Sequence, residues 1–332
     1  MEKETSNSLP PLLKIENLST YFDTHSGLVK AVDGVDIKLY PGECLGVVGE
    51  SGSGKSVTFL SVMGLIKKPG RIASGSIQFD GRELTIFNPR QYRSIRGKEI
   101  AMTLQDSLTA LNPYIKIIDQ ISEVLKEHDQ EIAAQGKTAI KNRAVEMMKL
   151  VGIPDAENRL KDYPHQFSGG MRQRIMIAIA LACKPKLLIA DEPTTALDVT
   201  VQAAILDLLA SLQKEKQMAM ILITHDLGVV AGRTDETAVM YAGRIVEHAA
   251  TNELFNQMRM PYTHALMAAI PRLANRTHTT LQSINGQPPD MVDLPPGCSF
   301  ASRCWKAQTL CVENEPALKQ INGRGHKLAC WY

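Results

Sequence analysis

Short apolar segments separated by turn residues characterise the beginning of the chain. The segments with the composition of β-strands are residues 12–15, 31–39 and 44–48. Pro41 and Gly42 mark a turn between the second and the third of them. The third leads directly into a glycine-rich loop, after which residues 55–65 continue as an apolar helix. The pattern predicts a β-rich start that passes into a strand–loop–helix unit.

The middle of the chain changes to a helical pattern. Residues 74–79 and 100–104 still have the composition of strands. Farther on, apolar residues such as Ile117, Ile121 and Leu125 recur at helical spacing. We therefore predict a mainly helical subdomain, residues 106–167, inserted into an α/β core.

The pattern returns to that of an α/β core after the insert. Residues 170–182 are typical of another helix. Residues 187–190 and 218–224 are continuous apolar runs bounded by polar residues, as expected for buried parallel strands. A late hairpin is predicted around Ala242 and Gly243.

The composition changes again beyond about residue 256. Prolines become frequent there, and four of the six cysteines lie in this tail. We interpret residues 12–255 as the main domain and residues 256–332 as a small separate C-terminal module. No internal repeat and no low-complexity tract is present in the sequence.

Composition and charge exclude several classes of protein. The 332 residues can bury a large core, and 44% hydrophobic with 5% aromatic residues suits a globular protein rich in aliphatic side chains. A net charge of +2 is too balanced to indicate nucleic acid as the main partner. The longest apolar run, residues 175–183, is shorter than the ~20 residues of a membrane-spanning helix, so a role at a membrane requires a partner subunit.

The N-terminus and the cysteines indicate the cellular compartment in which the protein is expected to reside. Residues 1–11 are polar and contain no apolar signal region. Six cysteines without a secretory signal favour a reducing environment, in which thiols bind metal or stay free. We therefore expect a cytoplasmic protein.

A phosphate-binding loop follows the third predicted strand. The residues of this loop and of the helix start are Gly49, Glu50, Ser51, Gly52, Ser53, Gly54, Lys55, Ser56 and Val57. The glycines allow a tight turn that directs successive N–H groups into one cradle, to which the helix dipole adds. We expect Lys55 to reach the β- and γ-phosphates of ATP and Ser56 to ligate Mg²⁺. The alternative is a glycine-rich turn without a ligand.

Polar residues end several of the predicted strands. Asp191 would be costly to bury without a cation, and Mg²⁺ supplies one. Glu192 is a candidate general base for an attacking water, its alternative being a solvated or helix-capping glutamate. Gln105 and His225 could each be an ordinary polar strand end, and only a family pattern gives them a role.

With these residues in order, the chain resembles the nucleotide-binding subunits of ABC transporters. The matching residues are Phe22 (the aromatic that stacks on adenine), 49–56 (Walker A), Gln105 (Q-loop), Ser168, Gly169 and Gly170 (signature), 187–191 (Walker B), Glu192 (catalytic glutamate), Ala196, Leu197 and Asp198 (D-loop), and His225 (switch histidine). The resemblance implies a P-loop NTPase cassette with a RecA-like core, an antiparallel β subdomain and a helical insert. It also implies Mg²⁺ near Ser56, Gln105 and Asp191, and catalytic roles for Lys55, Glu192 and His225.

In this family two subunits pair head to tail, with ATP between the phosphate loop of one and the Ser-Gly-Gly of the other. The helix after Gly170 would then direct its N-terminus and the Ser168 hydroxyl at the partner's γ-phosphate. ATP would close the dimer and hydrolysis would release it. Phe167 and Met171 depart from the common signature Leu-Ser-Gly-Gly-Gln at its two ends.

A closer resemblance is to the ATPases of dipeptide and oligopeptide importers. It depends on three segments and the cysteine tail: Tyr163-Pro164-His165-Gln166, Met171-Arg172-Gln173-Arg174 and Pro261-Tyr262-Thr263-His264. It implies a peripheral ATPase at the cytoplasmic face of the membrane. Its partners would be a second, related ATPase subunit, two transmembrane permease subunits and an extracytoplasmic substrate-binding protein. Relatives also handle nickel chelates, glutathione or antimicrobial peptides, so the substrate stays open.

Two alternatives, a non-transport ABC ATPase and a non-enzymatic regulatory subunit, fit the sequence less well. DNA-repair ABC ATPases separate their motifs by long coiled coils, and translation factors have two cassettes in one chain. Here the insert is short and each motif occurs once. A non-enzymatic regulatory subunit is opposed by the intact Lys55, Asp191, Glu192 and His225.

Four cysteines of the tail, Cys298, Cys304, Cys311 and Cys330, are separated by five, six and eighteen residues. Four thiolates suit zinc or an iron–sulfur cluster, and the lack of a close Cys-x-x-Cys pair weakens zinc. The importer resemblance implies a [4Fe–4S] cluster, the alternative being free or disulfide-paired thiols. Cys44 and Cys183 are expected to be small buried hydrophobes.

Overall fold

The structure is a computed structural model that describes residues 10–104, 110–195, 197–270, 284–321 and 325–332. The chain divides into two compact units. The first consists of Met1–Ile86 with Leu222–Tyr332, and the second of Phe87–Ile221.

Strands occur in both units. Their bounds are β1 Leu13–Thr24, β2 Gly27–Leu39, β3 Cys44–Val48, β4 Gly70–Phe79, β5 Arg82–Glu83, β6 Ile100–Thr103, β7 Leu187–Asp191, β8 Ala219–Thr224, β9 Glu236–Tyr241, β10 Arg244–Ala250, β11 Lys319–Gln320 and β12 Lys327–Leu328. Of these, β6 and β7 lie in the second unit, and β8 contains the boundary between the units.

Helices also occur in both units. Their bounds are α1 Lys55–Val62, α2 Pro89–Ile95, α3 Ile117–His128, α4 Gln130–Ala134, α5 Lys137–Leu150, α6 Ala156–Arg159, α7 Gly169–Leu181, α8 Val199–Lys216, α9 Leu227–Val230, α10 Thr251–Asn256, α11 Pro261–Ala268 and α12 Thr309–Glu313. In the part of the chain that the structure describes, no helix is both long enough and apolar enough to cross a membrane.

The first unit contains an antiparallel sheet in the order β2-β1-β4-β5. Along β2, Val35, Ile37 and Leu39 are buried while the residues between them are exposed. This alternation is the pattern of a strand with one face in the core and one in solvent. The predicted antiparallel β subdomain is therefore present.

A second group of strands in the first unit has the order β11-β12-β10-β9-β3. Every residue of β3 is buried, and β3 pairs in parallel with β9. The predicted hairpin around Ala242 and Gly243 is confirmed, because β9 and β10 pair in antiparallel fashion from Tyr241 and Arg244 outward. The buried β3 delivers the chain to the phosphate loop.

The C-terminal tail is joined to this same unit. Its strand β12 pairs with β10, and the Ala329 N–H donates to the Val246 carbonyl over 2.9 Å. The carboxylate of buried Glu247 accepts the Arg259 and Met260 N–H groups, and its Oε1 lies 2.9 Å from His326 Nε2. Residues 256–332 therefore contribute to the unit that contains β3, and the domain boundary at residue 256 stays a prediction.

The second unit combines helices with two parallel strands, β6 and β7. Ile117, Ile121 and Leu125 of α3 are fully buried, as their spacing predicts. The buried Arg143 of α5 donates two hydrogen bonds to the Ala182 carbonyl, which lies at the C-terminal end of α7. This unit positions the residues around Ser168 and Asp191.

Several bounds differ from the sequence prediction. The predicted strand 44–48 coincides with β3, whereas β1 continues to Thr24, well beyond the predicted end at residue 15. Pairing with β2 on one side and β4 on the other satisfies the backbone of its polar second half. Helix α1 ends at Val62, not at residue 65, because the N–H groups of residues 64 and 65 bond back to its last turn.

Candidate nucleotide-binding site

The phosphate loop connects β3 to α1 in the first unit. Gly54 is the N-cap of α1 with φ of 100°, and Gly52 has φ of 78°. A methyl group at Gly49 would collide with the Met240 carbonyl oxygen, and one at Gly54 with the Ala31 carbonyl oxygen. Only glycine fits both the backbone angle and the close approach at Gly54.

Lys55 lies inside the loop with only 5% of its surface exposed. Its Nζ donates to the carbonyl oxygens of Gly49, over 2.7 Å, and of Glu50, over 2.9 Å. A buried ammonium needs such partners, because an isolated charge is strongly disfavoured away from water. The cation is therefore held at the centre of the loop.

The loop also contains a buried hydroxyl that fits an oxygen-rich ligand. Within the described parts of the chain, Ser53 Oγ has no hydrogen-bond partner although it is buried. Ser56, the second residue of α1, is half-buried at the positive end of the helix dipole. The donors of this loop suit phosphate oxygens and, at Ser56, a hard cation such as Mg²⁺. Ser51 and Gly52 form the exposed outer edge of the loop.

His225 and Phe22 also lie in the first unit. His225 is exposed directly after the buried β8, and the turn that contains it is fixed by the Asp226 N–H, which donates to Thr224 Oγ1 over 3.1 Å. Phe22 is a half-buried residue of β1 whose ring covers Gly70 of the neighbouring strand. The adenine contact of Phe22 and the switch role of His225 stay predictions.

Asp191 is the last residue of β7 in the second unit, and Glu192 follows it directly. Asp191 is 5% exposed, and Glu192 has φ of 43°, in the left-handed region that residues with side chains rarely adopt. The Thr195 hydroxyl donates to Glu192 Oε2 over 3.1 Å and to its carbonyl over 3.2 Å. Backbone strain of this kind persists where surrounding contacts enforce it, and it is typical of active sites.

Ser168 begins α7. Its Oγ accepts the Met171 N–H over 3.4 Å, and Gly169 and Gly170 form the first turn of the helix. The side chain of Ser168 is exposed. The first N–H groups of a helix have no partner within the helix itself, and helix N-termini therefore favour anions.

Arg159 contacts both residues that depart from the common signature. Its guanidinium lies 4.3 Å from the centre of the buried Phe167 ring, and its Nη1 contacts Met171 Sδ at 3.7 Å. One cation thus packs against both unusual residues. Reasoning from the sequence missed Arg159, because nothing in its local pattern connects it with the signature.

Asp198 is the N-cap of α8. Its carboxylate accepts the Val201 N–H over 2.9 Å, and this bond, with the Thr200 hydroxyl, lowers the pKa of Asp198. Capping is a sufficient local reason for an aspartate here, and its nucleotide contact stays a prediction. Gln105 and Ala196, the remaining motif residues, lie outside the described residues.

The four cysteines of the tail line one narrow cavity in the first unit, together with Phe300 and Pro261. All four are free thiols. Burial, with smaller contributions from the three neighbouring thiols, raises the pKa of the Cys298 thiol to about 11. Among the described residues, no group of three or more His, Cys, Asp or Glu is arranged to hold a metal ion.

A contact between the tail and the phosphate loop was not foreseen from the sequence. Arg303 forms a two-fold ion pair with Glu50, and the Glu50 N–H donates to Tyr262 Oη over 2.8 Å. Tyr262 lies in the Pro261-Tyr262-Thr263-His264 segment, one of the segments on which the resemblance to peptide-importer ATPases depends. No signal in the sequence identifies Arg303.

Two family models match the chain. The model described as ABC transporter matches residues 32–195. The model described as oligopeptide/dipeptide transporter, C-terminal region, matches residues 246–311, which includes Tyr262, Arg303 and three of the four tail cysteines.

Relatives of known name match nearly the whole length. The dipeptide transport ATP-binding protein DppD of Bacillus subtilis is 46% identical over 96% of this chain and 94% of its own. The oligopeptide transport ATP-binding protein OppD of the same organism is 48% identical over 96% of this chain and 88% of its own. DppD of Escherichia coli is 45% identical over 97% of this chain and 96% of its own.

Solved structures share the fold. The ATP-binding cassette MJ0796, solved as a dimer in a post-hydrolysis state with ADP and Pi, has a TM-score of 0.64 and 25% identity over 72% of this chain and 98% of its own. The cassette cbiO1 from Clostridium perfringens, part of the ABC transporter complex cbiONQ, has a TM-score of 0.61 and 28% identity over 75% of this chain and 92% of its own. The predicted P-loop cassette fold is thereby confirmed.

The substitution Gly54→Ala is expected to abolish nucleotide binding, because the new methyl group collides with the Ala31 carbonyl oxygen. Gly52→Ala is a matched control, since it adds the same methyl group at positive φ but into open space. It should therefore lower the stability only by the cost of a left-handed backbone, about 1–2 kcal/mol. Titration with a fluorescent ATP analogue and thermal unfolding measure both effects. Equal affinities in the two variants would contradict the packing argument.

Proposed function

Because this chain belongs to the ABC transporter family, among the dipeptide and oligopeptide transport ATP-binding proteins, we propose that it is the ATP-hydrolysing subunit of an importer of short peptides. The observation that carries this proposal is the full-length identity of 45–48% to relatives named for dipeptide and oligopeptide transport, tail included. The main domain would be residues 12–255, and residues 256–332 the C-terminal domain of this transporter class.

Residues 49–57 would bind the ATP phosphates in the first unit. Lys55 supplies a buried positive charge, and the Ser53 hydroxyl and the N-terminus of α1 add donors. Ser56, Asp191 and Gln105 would hold Mg²⁺, which neutralises phosphate charge when bound. Phe22 would stack on adenine.

Glu192 would be the general base that orients and deprotonates the attacking water, with His225 assisting at the γ-phosphate. The strained backbone at Glu192 and its contact with Thr195 support this role, because they fix the direction of the carboxylate before substrate arrives. The protein's contribution to phosphoryl transfer is then positioning and electrostatics.

Ser168, Gly169 and Gly170 would complete the ATP site of a second ATPase subunit, with Asp198 near the junction. The exposed Ser168 at the start of α7 and the dimeric structures of related cassettes support this arrangement. The remaining partners would be two transmembrane permease subunits and an extracytoplasmic substrate-binding protein. The second ATPase would be a related but different chain, and the complex would hold this subunit at the cytoplasmic face of the membrane.

Glu192→Gln is expected to leave ATP binding intact and to lower turnover by roughly 10²–10⁴-fold, since it removes only the base. Phosphate release and ATP affinity are measured side by side in the reconstituted importer. The exposed Glu215→Gln is the matched control. Turnover within a few-fold of wild type in Glu192→Gln would exclude Glu192 as the base.

The transported substrate is tested by uptake of labelled dipeptides and oligopeptides into vesicles that contain this chain with its partner subunits. We expect ATP-dependent peptide accumulation that Lys55→Ala eliminates, because the buried ammonium is the positive charge of the phosphate site. Uptake of a nickel chelate, glutathione or an antimicrobial peptide in place of these peptides would assign a different substrate.

A second proposal concerns Cys298, Cys304, Cys311 and Cys330, which would bind a [4Fe–4S] cluster. Their convergence on one narrow cavity supports it. The raised pKa of Cys298 means that this thiol must lose its proton when it becomes a ligand. The cluster would supply a structural link across the tail.

Protein purified without oxygen should contain about four irons per chain and a visible absorption band. Each of the four Cys→Ser variants should lose both signals, because each removes one thiolate ligand. Cys183→Ser, which changes a half-buried thiol of the other unit, should retain them. A clean one-zinc stoichiometry would end the cluster proposal.

A further inference from the structure

Every polar group of Glu50, the second residue of the phosphate loop, is engaged by a neighbour. Its N–H donates to Tyr262 Oη over 2.8 Å. Its carbonyl oxygen accepts from the Ser53 N–H over 3.2 Å and from Lys55 Nζ over 2.9 Å. Its two carboxylate oxygens accept from Arg303. Glu50 therefore supplies, together with Gly49, a carbonyl oxygen that accepts from the Lys55 ammonium.

Arg303 reaches this loop from the C-terminal tail, 253 residues farther along the chain. Its Nη1 and Nη2 donate to the two Glu50 oxygens over 2.7 and 2.9 Å, its Nη1 also to Tyr241 Oη over 3.1 Å, and its Nε to the Asn285 carbonyl over 3.0 Å. Only 3% of the side chain is exposed. A buried two-fold pair of this kind is strong and directional.

Packing fixes the tyrosine hydroxyl in the same place. The fully buried Tyr262 ring lies 4.5 Å from Tyr241 and 5.3 Å from Phe300, measured between ring centres. Burial raises the pKa of Tyr262, so the hydroxyl stays neutral and accepts the Glu50 N–H. Two residues of the tail thus hold one residue of the loop by its backbone and by its side chain.

The charge of Glu50 requires a partner for an additional reason. ATP carries several negative charges, and Glu50 belongs to the loop that would surround its phosphates. Without Arg303, its carboxylate would be an unpaired negative charge within that loop, and like charges repel more strongly where water is partly excluded.

We propose that Arg303 and Tyr262 are positioning residues for ATP binding: they fix the phosphate loop in its binding geometry, and Arg303 neutralises the Glu50 carboxylate beside the triphosphate. The proposal rests on the proposed function, in which residues 49–57 bind the ATP phosphates. It makes the C-terminal tail part of the nucleotide site of its own chain.

The test is ATP affinity in the full-length protein. Arg303→Met should raise the dissociation constant for ATP by about tenfold or more, because it exposes the loop to an unpaired carboxylate. Adding Glu50→Gln to that variant should recover most of the affinity, since it removes the repelling charge. Arg259→Met, at an exposed position of the same tail, is the matched control and should bind ATP as wild type does. Thermal unfolding of each variant is measured in parallel.

If Arg303 only anchored the loop structurally, the outcome would differ. Arg303→Met and the double variant would then lose ATP affinity equally, and this result would overturn the neutralising role. If Arg303→Met does not fold, Tyr262→Phe tests the backbone bond with the ring retained, and it should weaken ATP binding several-fold. Wild-type affinity in Tyr262→Phe would overturn the positioning role.

Lys55→Ala separates this inference from the proposed function. If that variant still binds ATP normally, residues 49–57 are not the phosphate site and the proposed function fails. If it loses ATP while Arg303→Met keeps wild-type affinity, the phosphate site stands and the role of Arg303 is refuted.

Discussion

The buried ammonium of Lys55 is the interaction on which the phosphate loop depends. A charge that is only 5% exposed needs polar partners, and the carbonyl oxygens of Gly49 and Glu50 supply them. The backbone turns tightly at Gly54, close to the Ala31 carbonyl oxygen, where only glycine fits. The loop thus combines a buried positive charge with a backbone that requires glycine.

The tail is connected to this loop through Glu50, which is contacted both by Lys55 of the loop and by Arg303 of the tail. Lys55 donates to the Glu50 carbonyl, and Arg303 pairs with the Glu50 carboxylate. The tail is fixed to the unit independently by Glu247, whose buried carboxylate contacts residues near the beginning and near the end of the tail. The family model of the C-terminal region begins at residue 246, within β10, and so includes Glu247.

Two motif residues of the second unit have a local structural role. Ser168 and Asp198 each begin a helix as its N-cap, and such caps favour short polar side chains whatever their function. Glu192 is different, because its left-handed backbone is unfavourable for a glutamate. This strain supports the catalytic role that is proposed for Glu192.

The sequence alone determined the elements that depend on neighbouring residues. The buried strand β3, the glycine loop and the start of α1 follow from apolar runs and from backbone angles that only glycine adopts readily. The caps at Ser168 and Asp198 are equally local. The length of β1 was missed, because the hydrogen bonds of its polar half come from β2 and β4 and leave no periodic pattern.

Only the tertiary structure decided what holds the loop in place. Glu50 and Arg303 are 253 residues apart, and neither has a neighbourhood that indicates the other. Likewise, no pattern in the sequence connects Arg159 with Phe167 and Met171, although it packs against both. Charge pairs and cation–ring contacts depend on distance in space, which a linear pattern of apolar and polar residues does not encode. The sequence thus predicted the residues of the phosphate loop, and only the structure showed that residues of the tail contact it.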